Sequence, residues 1–164
     1  MKYLVSLFFV TVMLSCQAQK ESFSEEALNH KLIAPDGTDI DFQQIIAKHR
    51  GRPTVIEVWA SWCGDCVKAM PLLKDTQSRF KNVNYVFLSV DRSVEKWKEG
   101  VEKHQLEGYH YFVKDGMKGE FGKAIDLDWI PRYIILDKDG KVVKYRAIEK
   151  DFNLINETLE SLTR

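Results

Sequence analysis

Apolar residues fall in two rhythms along this chain, and the switch between them predicts its elements. Short continuous apolar runs at 54–59, 85–90 and 133–136 have the length and β-branched content of buried strands. Val94, Trp97 and Val101 recur at helical spacing in an otherwise charged segment, which predicts an amphipathic helix over 93–105. Phe152, Ile155, Leu159 and Leu162 form a second stripe of this kind, capped by Asp151. Met117, Phe121 and Ile125 mark a shorter helix, and 109–113 a short strand. Residues after Cys63 read as a helix to about residue 80, kinked at Pro71 where the ring removes a backbone hydrogen bond.

Turn chemistry separates these pieces. Pro35-Asp36-Gly37-Thr38 lies between two short apolar segments and predicts a hairpin, followed by a short helix over 42–48. Gly51-Arg52-Pro53 breaks the chain before the strand at 54–59. Asp137-Lys138-Asp139-Gly140 joins the strand at 133–136 to a partner at 141–145. Strand and helix alternate through the first half, and a hairpin plus helix follows. That order predicts an α/β three-layer sandwich with a mixed sheet.

The first twenty residues break the pattern. Lys2 precedes an apolar run over 3–14 with no polar face, and Ser15-Cys16-Gln17-Ala18-Gln19 follows. A basic start, a short apolar stretch and small residues read as a secretory signal peptide over 1–18. The run is short for a bilayer, which needs about 20 apolar residues. Met13-Leu14-Ser15-Cys16 resembles the bacterial lipoprotein signal, in which cleavage precedes the cysteine and the thiol is acylated. Ordinary cleavage after Ala18 is the other route. Residues 19–27 are expected to form a tether and 28–164 the single domain. Lys and Arg number 24 against 24 Asp and Glu, with the signs interspersed, so no basic stripe argues for nucleic acid.

Either route removes or blocks the Cys16 thiol, and the mature chain keeps Cys63 and Cys66 alone. They stand in Trp62-Cys63-Gly64-Asp65-Cys66, at the junction of a predicted strand and a predicted helix. The unpaired N–H groups of a first helical turn favour negative charge, so a thiolate forms there more readily. A bridge between such near neighbours closes a tiny loop and stabilises little. An exported chain whose one cysteine pair has this spacing therefore suits redox chemistry better than stapling. A structural zinc site needs about four ligands, and the four histidines show no ligand spacing with the thiols, so no metal is expected. Cys63, at the open end of the helix, is expected to attack. Cys66, one turn further in, is expected to resolve the mixed disulfide. Glu57 lies inside the apolar strand, where burial raises a carboxyl's pKa, and it is a candidate to take the Cys66 proton. Trp62 is expected to shield the thiols at the surface and Trp59 to lie in the core.

At these residues the chain resembles thioredoxin-like proteins. The segment 57–66 matches their active-site strand and motif, Pro71 their helix-kinking proline, and Ile130-Pro131 followed by 132–137 and Gly140 their cis-proline strand and hairpin. The N-terminal hairpin, Ser89-Val90-Asp91 and the extra helical segment before the proline resemble the TlpA/ResA branch, over roughly residues 28–164. The resemblance implies a thioredoxin-like sandwich with a hairpin extension and a helical insertion. It implies a cis Pro131 against Cys63, where the dipeptide alone would suggest an ordinary trans-proline. It places Ile130 and Pro131, with Trp62, against the substrate. It further implies an exported thiol–disulfide oxidoreductase at the periplasmic side of the cell envelope. That protein would be monomeric, lipid-anchored through Cys16 and free of an organic cofactor. It would act on protein disulfides and be recharged by a membrane thiol–disulfide donor. Two features depart from the pattern: Asp65 replaces a proline between the cysteines, and Ala69 stands where that branch often has glutamate.

Rival readings are a peroxiredoxin-type peroxidase and a copper-binding module. The first needs a threonine where Ala60 stands, and the second a histidine and a methionine beside the thiols, of which Met70 lies a turn deeper. Asp65 opposes a neighbouring thiolate, and Lys68 faces another side of a regular helix, so the reducing direction is favoured.

Overall fold

A computed structural model describes residues 22–164, and the expectations for the leader over 1–18 and for Cys16 lie outside the described residues. The chain runs α1 (Glu25–Leu28), β1 (Lys31–Ile33), β2 (Asp39–Asp41), α2 (Phe42–Lys48), β3 (Thr54–Trp59) and α3 (Gly64–Arg79). It continues β4 (Asn84–Ser89), α4 (Val94–His104), β5 (Tyr109–Phe112), α5 (Glu120–Ala124), β6 (Arg132–Leu136), β7 (Val142–Ala147) and α6 (Phe152–Thr163). The strands form one mixed sheet in the order β2-β1-β5-β4-β3-β6-β7. β3 and β4 are parallel, as are β4 and β5, whereas β6 runs antiparallel beside β3.

Continuous apolar runs become the centre of the sheet because both of their faces are covered. Every residue of β3 is buried, as is every residue of β6. On one face α3 lies between α4 and α6. Lys74 Nζ donates to the His104 carbonyl at 2.9 Å, and Thr76 Oγ1 to Asn156 Oδ1 at 2.9 Å. On the other face Phe42 of α2 meets Phe121 of α5, with ring centroids 5.1 Å apart. The three-layer sandwich expected from the sequence is therefore present, with its N-terminal hairpin and its insertion. The β1–β2 hairpin docks antiparallel on β5 and extends the sheet beyond it.

One segment differs from its expected form. The polar stretch over 19–27, expected to form a tether, joins the fold from Phe23 onward. Ser24 caps α1 by accepting the Ala27 N–H, and Phe23 packs edge-on against Phe42 with centroids 4.8 Å apart. A lone phenylalanine among polar residues has no period to announce its burial.

Candidate active site

Cys63 ends the loop that leaves β3 at the carboxyl edge of the sheet. The loop is fastened from the neighbouring strand. Asp91, just past β4 and buried, accepts the Ser61 N–H at 3.1 Å, the Ser61 hydroxyl at 2.7 Å and the Ser89 hydroxyl at 2.9 Å. Close packing adds to this clamp: a Cβ at Gly100 of α4 would stand 2.7 Å from Ser61 Cβ, so only glycine fits there without a shift.

The cysteine pair then opens α3. Cys63 is the N-cap residue, in extended conformation, and its sulfur accepts the Cys66 N–H at 3.1 Å. Sulfur thus takes the place usually held by a hydroxyl or carboxylate oxygen, where the first-turn N–H groups favour negative charge. Cys63 and Cys66 are joined as a disulfide with S–S 2.08 Å. Cys66 is wholly buried, while Cys63, 5% exposed, lines an open cleft of about 320 Å³. The peptide Ile130–Pro131 is cis, and the Ile130 carbonyl oxygen lies 3.6 Å from Cys63 Sγ, within reach of the Cys63 thiol once the disulfide opens.

Glu57 occupies the middle of β3 and is 2% exposed. Its side chain shares a sheet face with Tyr133, its partner across the β3–β6 ladder, and the Tyr133 hydroxyl donates to Oε1 at 3.2 Å. Tyr133 in turn touches Phe152 of α6, so this is the face that α3 and α6 cover. Oε2 has no hydrogen-bond partner among the described residues. Burial raises the carboxyl to about 8, and the Tyr133 hydrogen bond offsets a smaller part of that rise. Tyr133 gave no sign of this role in the sequence, because it reads as one more apolar position of its strand.

Trp62 is 55% exposed and forms one wall of the cleft, while Trp59 is fully buried. Trp129, 52% exposed, lines the same cleft together with Met117, and sequence reasoning singled out neither for the site. The Trp-Ile-Pro order just before β6 was the available signal. Lys68 is exposed, and its Nζ lies 3.6 Å from Asp65 Oδ1 as an i,i+3 pair. Among the described residues no group of three or more His, Cys, Asp or Glu side chains is placed to hold a metal.

The arrangement can perform thiol–disulfide exchange, and comparison with known proteins points the same way. Residues 51–142 match the family model described as thioredoxin-like. The thiol-disulfide oxidoreductase ResA of Bacillus thuringiensis subsp. konkukian is 24% identical over 147 residues, covering 88% of this chain and 81% of that protein. A thiol-disulfide oxidoreductase from Bacteroides fragilis superposes with a TM-score of 0.67 at 25% identity, covering 81% of this chain and 96% of its own. A secreted Mycobacterium tuberculosis disulfide oxidoreductase, homologous to Escherichia coli DsbE, shares the fold with a TM-score of 0.64 at 20% identity, over 85% of this chain and all of its own.

Proposed function

The chain belongs to the thioredoxin-like family and is a thiol–disulfide oxidoreductase, and from that premise we propose that it is exported and reduces protein disulfides. The Cys63 thiolate attacks one sulfur of a substrate disulfide. A Cys63–substrate bond forms, and the other substrate sulfur leaves as a thiolate. Cys66 then passes its proton to Glu57 and attacks Cys63 Sγ. The mixed disulfide breaks, the second substrate thiolate departs, and the Cys63–Cys66 disulfide returns. Two electrons reach the substrate, and a membrane thiol–disulfide donor restores the dithiol.

The observation that carries this reading is the division of the pair. Cys63 caps the helix and opens on the cleft, while Cys66 is sealed behind it beside the face that holds Glu57. Burial holds the Glu57 carboxyl at about 8, which makes it basic enough to accept a proton near neutral pH. Trp62, Ile130 and Pro131 form the substrate side, where the backbone of Ile130 pairs with an extended chain. The reducing direction rests on Asp65, whose carboxylate competes with the Cys63 thiolate for the helix terminus, although Lys68 offsets part of that charge.

A redox titration against glutathione tests the direction. The expected midpoint lies nearer thioredoxin's, about −270 mV, than the strong oxidants', about −120 mV, and a value above about −180 mV removes the reductant reading. Export rests on the leader over 1–18, with lipidation at Cys16 holding the domain at the periplasmic side of the cell envelope. Cys16→Ala is expected to release the protein from the membrane fraction or block its processing. A mature N-terminus at Gln19 would show that no lipid anchor forms.

A further inference from the structure

Resting on that reading of the disulfide, we propose that the cleft between Trp62 and Trp129 selects substrates. It takes a bulky apolar side chain lying within two positions of the reacting cysteine in an extended polypeptide. Trp129 and Met117 are then specificity-determining residues. Large apolar side chains are costly to leave in water, and their clustering at the surface marks a binding site. Trp62 and Trp129 are the two most exposed large hydrophobics among the described residues, and both line the cleft that contains Cys63.

The exposure of Trp129 is built in. Its loop is pinned from beneath by Arg132, which is buried. Arg132 Nη1 donates to the Asp126 carbonyl at 3.3 Å, and Nη2 pairs with Asp128. Arg146 grips the same loop from β7, donating to the Asp126 carbonyl at 3.2 Å and to Asp128 at 2.8 Å. The loop therefore holds the indole outward from a fixed base. Met117, which lines the same cleft, supplies an unbranched, polarisable chain that adapts to different occupants.

The chemistry of the walls names the occupant. Both carboxylates at the cleft are already paired, Asp128 with two arginines and Asp65 with Lys68, so neither demands a cationic ligand. What remains is indole, thioether and sulfur. Cys63 is part of the wall, so an occupant that reacts brings a disulfide to it. The β6 ladder begins only at Arg132, which leaves the Ile130 backbone outside the sheet pairing and available to an extended chain. In such a chain, side chains two positions apart share a face and stand about 6.6 Å apart, so a neighbour of the cysteine reaches the cleft. A volume near 320 Å³ is at the small end of ligand pockets and suits one large side chain.

The test uses short peptides, each carrying one cysteine as a mixed disulfide with glutathione and differing only in Phe or Ser at positions −2 to +2. Reduced protein attacks the peptide sulfur, the peptide–glutathione bond breaks, and glutathione leaves as a thiolate. Each rate is divided by the same protein's rate with oxidised 2-mercaptoethanol. The expected result is that Phe reacts about tenfold faster than Ser at one or two positions, a difference worth about 1.4 kcal/mol. Trp129→Ala and Met117→Ala each collapse that ratio. Trp129→Phe keeps part of it, and Leu154→Ala, on α6 outside the cleft, keeps all of it. Equal rates for Phe and Ser, or an unchanged ratio in Trp129→Ala, would overturn the assignment of the cleft while leaving the exchange reaction standing. Failure of the wild-type protein to react even with oxidised 2-mercaptoethanol would remove the exchange reading itself.

Discussion

At the scale of single residues the proposed chemistry turns on three side chains, Cys63, Cys66 and Glu57, with separable consequences. Cys63 and Cys66 differ in access and not in kind, since one lines the cleft and the other is sealed beneath it. Cys66→Ser is expected to accumulate covalent adducts through Cys63, whereas Cys63→Ser accumulates none. Mass spectrometry under non-reducing conditions checks this, and equal trapping by both variants would refute the assignment. Glu57 is the one acid in a strand whose every residue is buried. Burial raises its folded pKa to about 8, above the ordinary carboxyl value of 4.5, so the folded protein holds a proton that the unfolded chain releases. Stability from this group is complete below about pH 4.5 and is lost as pH rises through about 8. At pH 7 the loss is about 3 kcal/mol, at 1.36 kcal/mol per unit. Glu57→Gln avoids that loss. It should be more stable than the wild type at pH 7 by about this amount, and nearly equal at pH 4.5, in urea titrations. The same variant should lose the rise in the rate of the resolving step that accompanies ionisation of Glu57 as pH approaches about 8. An unchanged pH–rate profile would show that Glu57 moves no proton.

At the scale of elements, Cys63 depends on packing it does not touch. The loop from β3 to α3 is held by Asp91 beyond β4 and pressed by α4 at Gly100. Gly100→Ala places a methyl against Ser61 Cβ and 3.1 Å from the Trp59 ring, neither of which is the loose end of a flexible chain. Either α4 or the loop must move. The expected cost is about 1–3 kcal/mol, the ordinary range for overpacking. A slower first exchange step should accompany it, because the loop ends at the N-cap sulfur. Retention of both wild-type stability and rate would mean that α4 yields freely. On the other side of the cleft, the loop before Pro131 is anchored by buried Arg132 and by exposed Arg146.

Across the whole molecule, the N-terminal segment is part of the domain it leads into. Phe23 bridges two distant parts of the fold, packing on Phe42 at 4.8 Å and on Tyr145 of β7 at 5.8 Å between ring centroids. Phe23→Ala should therefore lower stability by about 3 kcal/mol, read as a shift in the urea midpoint with an unchanged slope. If Phe23→Ala were neutral, the segment would be a tether after all. The redox site lies at the far edge of the sheet from the starts of β3 and β4, in keeping with the rule that open α/β sheets carry their sites at the carboxyl ends of the strands.

Local order determined much of this protein. The runs at 54–59, 85–90 and 133–136 became β3, β4 and β6, the stripes at 93–105 and 152–162 became α4 and α6, and the cysteine pair fell at a strand-to-helix junction. Each of these follows from side-chain period, turn residues and capping, which act over a few residues of chain. Tertiary structure alone decided the rest. Tyr133 reaches Glu57 across 76 positions, and Asp91 reaches Ser61 across 30. Trp129 and Met117 meet Trp62 across a cleft, Phe23 leaves a polar stretch for the core, and the first hairpin finds its edge on β5. The period of a strand says that one face is buried, but not which strand lies beside it or which polar group it shelters. Those depend on the order of strands in the sheet, where residues far apart in the chain become neighbours and the buried Glu57 carboxyl meets the Tyr133 hydroxyl of the next strand.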